Sequence, residues 1–190
     1  MSTASLLFAL ICICPGLVKS ISHQLNNSTD WSAKFEWYVG NEVRIQFMPG
    51  TYEVQYNTLI TNVSNFSIEG DNSSGSYVTF SCSNMNSWII TSSSFIEIKN
   101  FRFLNCGNTY DPWLFKGNIS SDIKAAIFMY NVSSIKIVDV TIGNNCGYGI
   151  IALNIVGMCT FEHLTIHGND TLNTFCDKYS NNTIFGEWYC

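Results

Sequence analysis

The chain repeats itself. Four segments can be laid over one another: Val63–Gly70 (VSNFSIEG), Ile98–Asn105 (IKNFRFLN), Ile137–Asn144 (IVDVTIGN) and Phe161–Gly168 (FEHLTIHG). Their shared pattern is apolar, any, polar, apolar, polar, apolar, any, then Gly or Asn. The copies begin 35, 39 and 24 residues apart. The shortest step reads as one natural period, and the longer two as a period with an insertion. Asn-Cys-Gly follows copies two and three, at Asn105–Gly107 and Asn145–Gly147. Each copy reads as two short strands joined at a corner, with the later apolar residues two apart on one side. The corner residues Asn65, Asn100 and Asp139 are types that tolerate a left-handed backbone. One such unit cannot bury its apolar face alone, whereas parallel stacking of successive units buries all of them in one column.

The N-terminal half extends the strand reading. Val43, Ile45 and Phe47 alternate with Arg44 and Gln46, Pro49-Gly50 makes a turn, and Tyr52 and Val54 resume the alternation. Before them, Asp30 is placed to cap a short helix over Trp31–Val39, stopped by Gly40. Trp31, Phe35 and Tyr38 share one face of it, and Trp31 and Trp37 are assigned to this N-terminal cap. The expected fold is all-β: a right-handed parallel β-helix, or solenoid, of roughly three strands per coil with a short capping helix. A β-sandwich is the alternative. It does not require a motif shared around each corner, and no Asn-Gly or Asp-Gly hairpin turn occurs.

On these residues the chain resembles the right-handed parallel β-helix, or pectin-lyase-like, repeat superfamily. The resemblance covers Val43 to Asp170. Phe47-Met48-Pro49-Gly50-Thr51-Tyr52 and the repeated corner units carry it. It implies a ladder of stacked Asn at one corner, matched by Asn65, Asn100 and Asp139 and departed from at His163. It also implies an N-terminal capping helix, matched by Asp30–Val39. No C-terminal cap is visible after the fourth copy, and Cys190 ends the sequence without a polar tail. Both features lead us to expect a truncated piece whose last coils are incomplete.

The remaining composition fixes the compartment. Leu6–Cys14 is an apolar run too short to span a bilayer, and Val18-Lys19-Ser20 suits cleavage after Ser20. The expected organisation is a signal peptide over 1–20, a polar leader and capping helix over 21–42, and β-helix repeats over 43–190. Asn-x-Ser/Thr sequons stand at Asn26, Asn27, Asn62, Asn65, Asn72, Asn118, Asn131, Asn169 and Asn181. Six cysteines remain after cleavage: Cys82, Cys106, Cys146, Cys159, Cys176 and Cys190. An even number in a secreted chain reads as disulfides. Sequence leaves their pairing open, but Cys82 and Cys106 lie one period apart and could meet across adjacent coils. Charged residues are only 12%, the net charge is −5 and no basic cluster exists, which excludes nucleic acid and anionic lipid as main partners.

The search for chemistry yields little. Glycoside hydrolysis needs two carboxylates flanking the bond, and no Asp-Asp or Glu-Glu pair occurs. Enzymes of the resembled superfamily use clustered carboxylates, often with calcium or a basic residue, but their Asn-Thr-Asp and Arg-based signatures are absent. Asp139 lies within a repeat and is read first as a corner residue. His163 could pair with it across one coil as an acid–base couple, or both could satisfy the corner backbone. His167-Gly168 matches a short His-Gly of the hydrolases but is read first as a surface His before a turn. No Cys-x-x-Cys, Asp-rich loop, Gly-x-Ser-x-Gly or phosphate loop is present, so neither metal nor cofactor is expected.

The insertion after copy two carries Tyr110, Asp111, Trp113, Phe115 and Lys116. Aromatic faces beside polar groups suit a sugar ring or a protein partner, and the same residues could instead fold back as a hydrophobic lid. The functional expectation is a secreted or cell-surface β-helix binding or structural module, its ligand a glycan or an extracellular protein, with no catalytic site evident. The alternative is a polysaccharide lyase or glycoside hydrolase of the resembled superfamily.

Overall fold

A computed structural model describes residues 20–83, 88–107, 125–145, 148–168 and 174–176. It contains one short helix, α1 (Trp31–Tyr38), and thirteen strands. The strands are β1 (Ile21–Leu25), β2 (Val43–Phe47), β3 (Gly50–Val54), β4 (Thr58–Thr61), β5 (Ser64–Gly70), β6 (Val78–Cys82), β7 (Trp88–Thr91), β8 (Ser94–Leu104), β9 (Ala125–Tyr130), β10 (Ser133–Asn145), β11 (Tyr148–Leu153), β12 (Val156–Gly168) and β13 (Thr174–Cys176).

Every pairing between them is parallel. One sheet runs β1-β2-β5-β8-β10-β12, with β3 and β6 attached beside β8, and the other runs β13-β11-β9-β7-β4. The long strand β8 explains the attachment. Its first half pairs with β5 and its second half with β6, so it covers two faces of the coil that separate strands cover one coil earlier. The two all-parallel sheets are consistent with a parallel β-helix, or solenoid. Ile45, Ile68, Ile98, Ile137 and Phe161 are successive register partners, at steps of 23, 30, 39 and 24 residues. The two longest steps contain the segments joining β5 to β6 to β7 and joining β8 to β9.

The core lies between the sheets. Alternate residues point inward: Phe66 and Ile68, Val78 and Phe80, Ile96 and Ile98, Phe101 and Phe103, Ile135 and Ile137 are all buried. Ile89, Phe128 and Ile151 occupy the opposite alternation on the second sheet yet are also buried, forming a smaller cluster with Ala125. Burial on both faces is why Trp88–Ile90 and Ala125–Met129 read as continuous apolar runs rather than alternating ones.

Apart from Asn105 just past β8, the left-handed non-glycine residues described fall in three corner columns. Asn62, Ser92, Asn131 and Asn154 follow the strands of the second sheet, each just past residues in register. Glu42, Asn65, Phe95, Ser134 and Gly157 stand at the entry to the first sheet. Asn100, Asp139 and His163 bend β8, β10 and β12 in mid-course. Two expectations are corrected here. Asn65 is left-handed as expected but belongs with Phe95, not with Asn100. His163 does not leave the column: it is in register with Asp139 and left-handed at φ 49°. Copies two to four therefore align in register as expected, whereas copy one stands five residues off it, since Ile68 rather than Val63 is the partner of Ile98. The reason is physical: each corner demands the same apolar–polar–apolar alternation around a left-handed residue, so two different corners look alike.

The helix begins and nearly ends where expected. Trp31 and Phe35 are buried, and Tyr38 packs against the core. Asp30 stands at its N-cap without a side-chain capping bond. Its carboxylate instead accepts a hydrogen bond from the Ser28 hydroxyl and meets Lys34 at 3.0 Å, and both lower its pKa. Trp31 joins the capping core, and its indole N–H donates to the Glu53 carbonyl at 3.1 Å. Trp37 does not join it: the helix turns that residue outward. Cys82 and Cys106 form a disulfide between neighbouring coils, Cα–Cα 4.8 Å. Cys159 is buried in the core. Cys146 and Cys190 lie outside the described residues, as does the side chain of Cys176.

Candidate functional site

The outer surface of the first sheet gathers most of the described charge. Facing outward from consecutive coils are Arg44, Glu69, Glu97, Lys99, Lys136 and Glu162, placed by strand alternation opposite the buried Ile45, Ile68, Ile98 and Ile137. Five of these groups neutralise one another. Glu69 is shared between Arg44 and Lys99, the latter at 3.4 Å. Lys136 meets Glu162 at 3.4 Å. Glu97 accepts a hydrogen bond from the Ser67 hydroxyl at 3.3 Å. Arg102 lies over the ring of Tyr77, 3.3 Å from its centroid.

Beside this face runs the third corner column. Asn100 donates from Nδ2 to the carbonyl of Gly70 in the preceding coil at 3.2 Å. A methyl group on Gly70 would meet the Asn100 carbonyl oxygen at 2.2 Å, so this crossing admits only glycine. One coil on, His163 Nδ1 lies 2.9 Å from Asp139 Oδ1. If Nδ1–H donates to the carboxylate, Nε2 keeps its lone pair for a proton or a ligand hydroxyl. The pair is open to water, with His163 79% and Asp139 53% exposed. It can orient a base or bind a hydroxylated ligand. The next carboxylate along the chain, Glu162, is held by Lys136.

The sequence candidates are thus brought together in part. Asp139 and His163 meet. His167 lies one face further along β12, exposed and opposite Gly143. Tyr110, Asp111, Trp113, Phe115 and Lys116 lie outside the described residues. Asn26, Asn27, Asn62, Asn65, Asn72 and Asn131 are all exposed, and Asn118, Asn169 and Asn181 lie outside the described residues. Sequence reading missed the Lys136–Glu162 bridge beside the pair. The 24-residue step from Ile137 to Phe161 brings both residues to adjacent coils and was the available signal. Among the described residues, no group of three or more His, Cys, Asp and Glu is placed to hold a metal ion.

Comparison with known proteins supports the fold alone. A solved structure of a "putative glycosyl hydrolase" from Parabacteroides merdae superposes with a TM-score of 0.54 at 9% identity, covering 88% of this chain and 97% of that one. No family model matches the sequence, and no curated protein matches it.

Proposed function

We propose that this chain is a secreted or cell-surface binding module of the pectin-lyase-like kind, a right-handed β-helix that recognises a neutral glycan or an extracellular protein. One observation carries the reading. Each cation among the described residues is engaged: Lys34 by Asp30, Arg44 and Lys99 by Glu69, Lys136 by Glu162, and Arg102 by Tyr77. A surface that binds or cleaves an acidic polysaccharide needs free positive charge to meet the uronate. The Asp139–His163 pair is open to solvent, whereas acid–base catalysis gains its strength where water is excluded. The Cys82–Cys106 disulfide and the exposure of six sequon asparagines support an oxidising, secretory route. Right-handedness follows the strong preference of parallel crossovers.

The second reading is a glycoside hydrolase. The 2.9 Å contact of His163 with Asp139 favours it, together with the fold likeness to a chain of that name. Reducing-end release from neutral polysaccharides and from polygalacturonate separates the two. The binding module releases nothing. Release that Asp139→Ala abolishes would replace this reading with the enzymatic one.

A further inference from the structure

We infer that the outer side of α1 is a sugar-stacking site built around Trp37, able to take one ring of a neutral glycan. The inference rests on the binding-module reading above but concerns a place remote from the Asp139–His163 corner. Trp37 is 88% exposed, although the indole is among the side chains that gain most from burial. It borders a shallow groove of about 250 Å³ lined by Asp30, Ala33, Lys34, Trp37 and Tyr38. Helix geometry explains the groove. Ala33 precedes Trp37 by one turn, so a methyl stands where a long side chain would cover the ring.

The groove is already braced. Tyr38 stacks on His23 of β1, ring centroids 3.8 Å apart and planes within 2°, which fixes one wall before any ligand arrives. Along the rim, Lys34 and Asp30 hold each other at 3.0 Å. That pair sets the ligand class. It presents an ammonium donor and a carboxylate acceptor side by side with no net charge. A charged ligand would have to break the pair, whereas a neutral ligand with vicinal hydroxyls can accept from Lys34 and donate to Asp30. An apolar face to lie on the indole and hydroxyls at its edge describe a pyranose ring.

The test is calorimetric titration of the full secreted chain with four probes: gluco-, manno- and galacto-hexasaccharides and hexagalacturonate. The expected result is binding of at least one neutral probe, weakened roughly tenfold or more by Trp37→Ala and largely kept by Trp37→Phe, as for an aromatic anchor. Lys34→Ala should weaken the same probe by a smaller factor. Trp37 is exposed, and an unchanged melting temperature confirms that the variants fold. Binding of a neutral probe that Trp37→Ala leaves unchanged overturns the groove and leaves the module reading standing. Preference for hexagalacturonate overturns the charge argument for both. Binding of none of the four removes the groove and leaves the module only a protein partner.

Discussion

The two ends of the stack are packed with different material. In the first three coils the interior is a continuous set of rings: Phe47, Tyr52, Phe66, Phe80, Trp88, Phe101 and Phe103, roofed by Trp31 and Phe35 of α1. From β10 onward the described interior is aliphatic, with Ile135, Ile137, Val140, Ile142, Ile150, Ala152 and Ile166, and Phe161 as its ring. The same backbone register runs through both, so the parallel ladder does not dictate the filling. The aromatic end must seal the first coil against a helix lying across it, and large flat rings bridge that irregular gap. The aliphatic end stacks like on like, where β-branched side chains in register are sufficient.

Truncation tests that contrast most sharply. Phe80 contacts Trp31, Phe47, Tyr52, Trp88, Phe101 and Phe103, with centroids 4.6 to 5.5 Å away. Phe80→Ala should cost about 3–5 kcal/mol, because rigid rings fixed on several sides cannot collapse into the cavity. Ile142→Val, at the aliphatic end, should cost about 0.5–1.5 kcal/mol. Urea unfolding of both variants gives the comparison. To weigh position apart from size, Phe161→Ala belongs beside them. A loss as large as that of Phe80→Ala would mean that the ends are equally rigid, and the distinction would fail.

A smaller effect marks the aromatic end by pH. Tyr52 is buried, and its hydroxyl lies 2.7 Å from the Met48 carbonyl and 3.0 Å from that of Leu25, donating its one proton between them. Burial pushes its pKa from 10.0 up to about 12. The fold thus favours the protonated phenol. That contribution is complete below pH 10 and is lost as pH rises through about 12. Tyr52→Phe should cost about 1 kcal/mol at neutral pH, for one hydrogen bond. It should also flatten the decline of stability between pH 10 and 12 relative to the parent. An unchanged alkaline limb would assign the decline to other groups.

The contrast also explains what could be read in the sequence. Copies two to four were legible because Asn100, Asp139 and His163 bend the strand at the same point of the pattern. The first copy slipped because Asn65 sits at a different corner with the same local demand, an outward left-handed residue between inward apolar ones. Residue type could not expose that slip, since Phe95 and Ser134 fill the Asn65 column and neither is a usual left-handed residue. The disulfide was legible from spacing, because 24 residues is close to one uninserted coil. The outward place of Trp37 was legible too, since it lies two residues from Phe35 and so opposite the face that Trp31 and Phe35 share, but assigning it to the cap hid that spacing. Of the candidate site, the Asp139–His163 contact could be anticipated from the period. The Lys136–Glu162 bridge beside it joins diagonal neighbours, so the same 24-residue period brings the two to adjacent coils but does not by itself pair them.

The smallest expected effect lies on the outside of the aliphatic end. Asp139 and His163 form a close pair, but both are more than half exposed, and water competes for each partner. A double-mutant cycle of Asp139→Asn and His163→Gln should give a coupling of about 0–1 kcal/mol. The coupling should weaken in about 1 M salt. Both substitutes keep hydrogen-bonding groups and suit the left-handed corner better than a branched residue would. Backbone strain therefore contributes little to the cycle. A coupling of several kcal/mol would show that the corner is part of the structural frame, and the rigid end of the molecule would then extend beyond its aromatic half. A small coupling leaves the pair free for recognition, since changing it would not compromise the coils beneath.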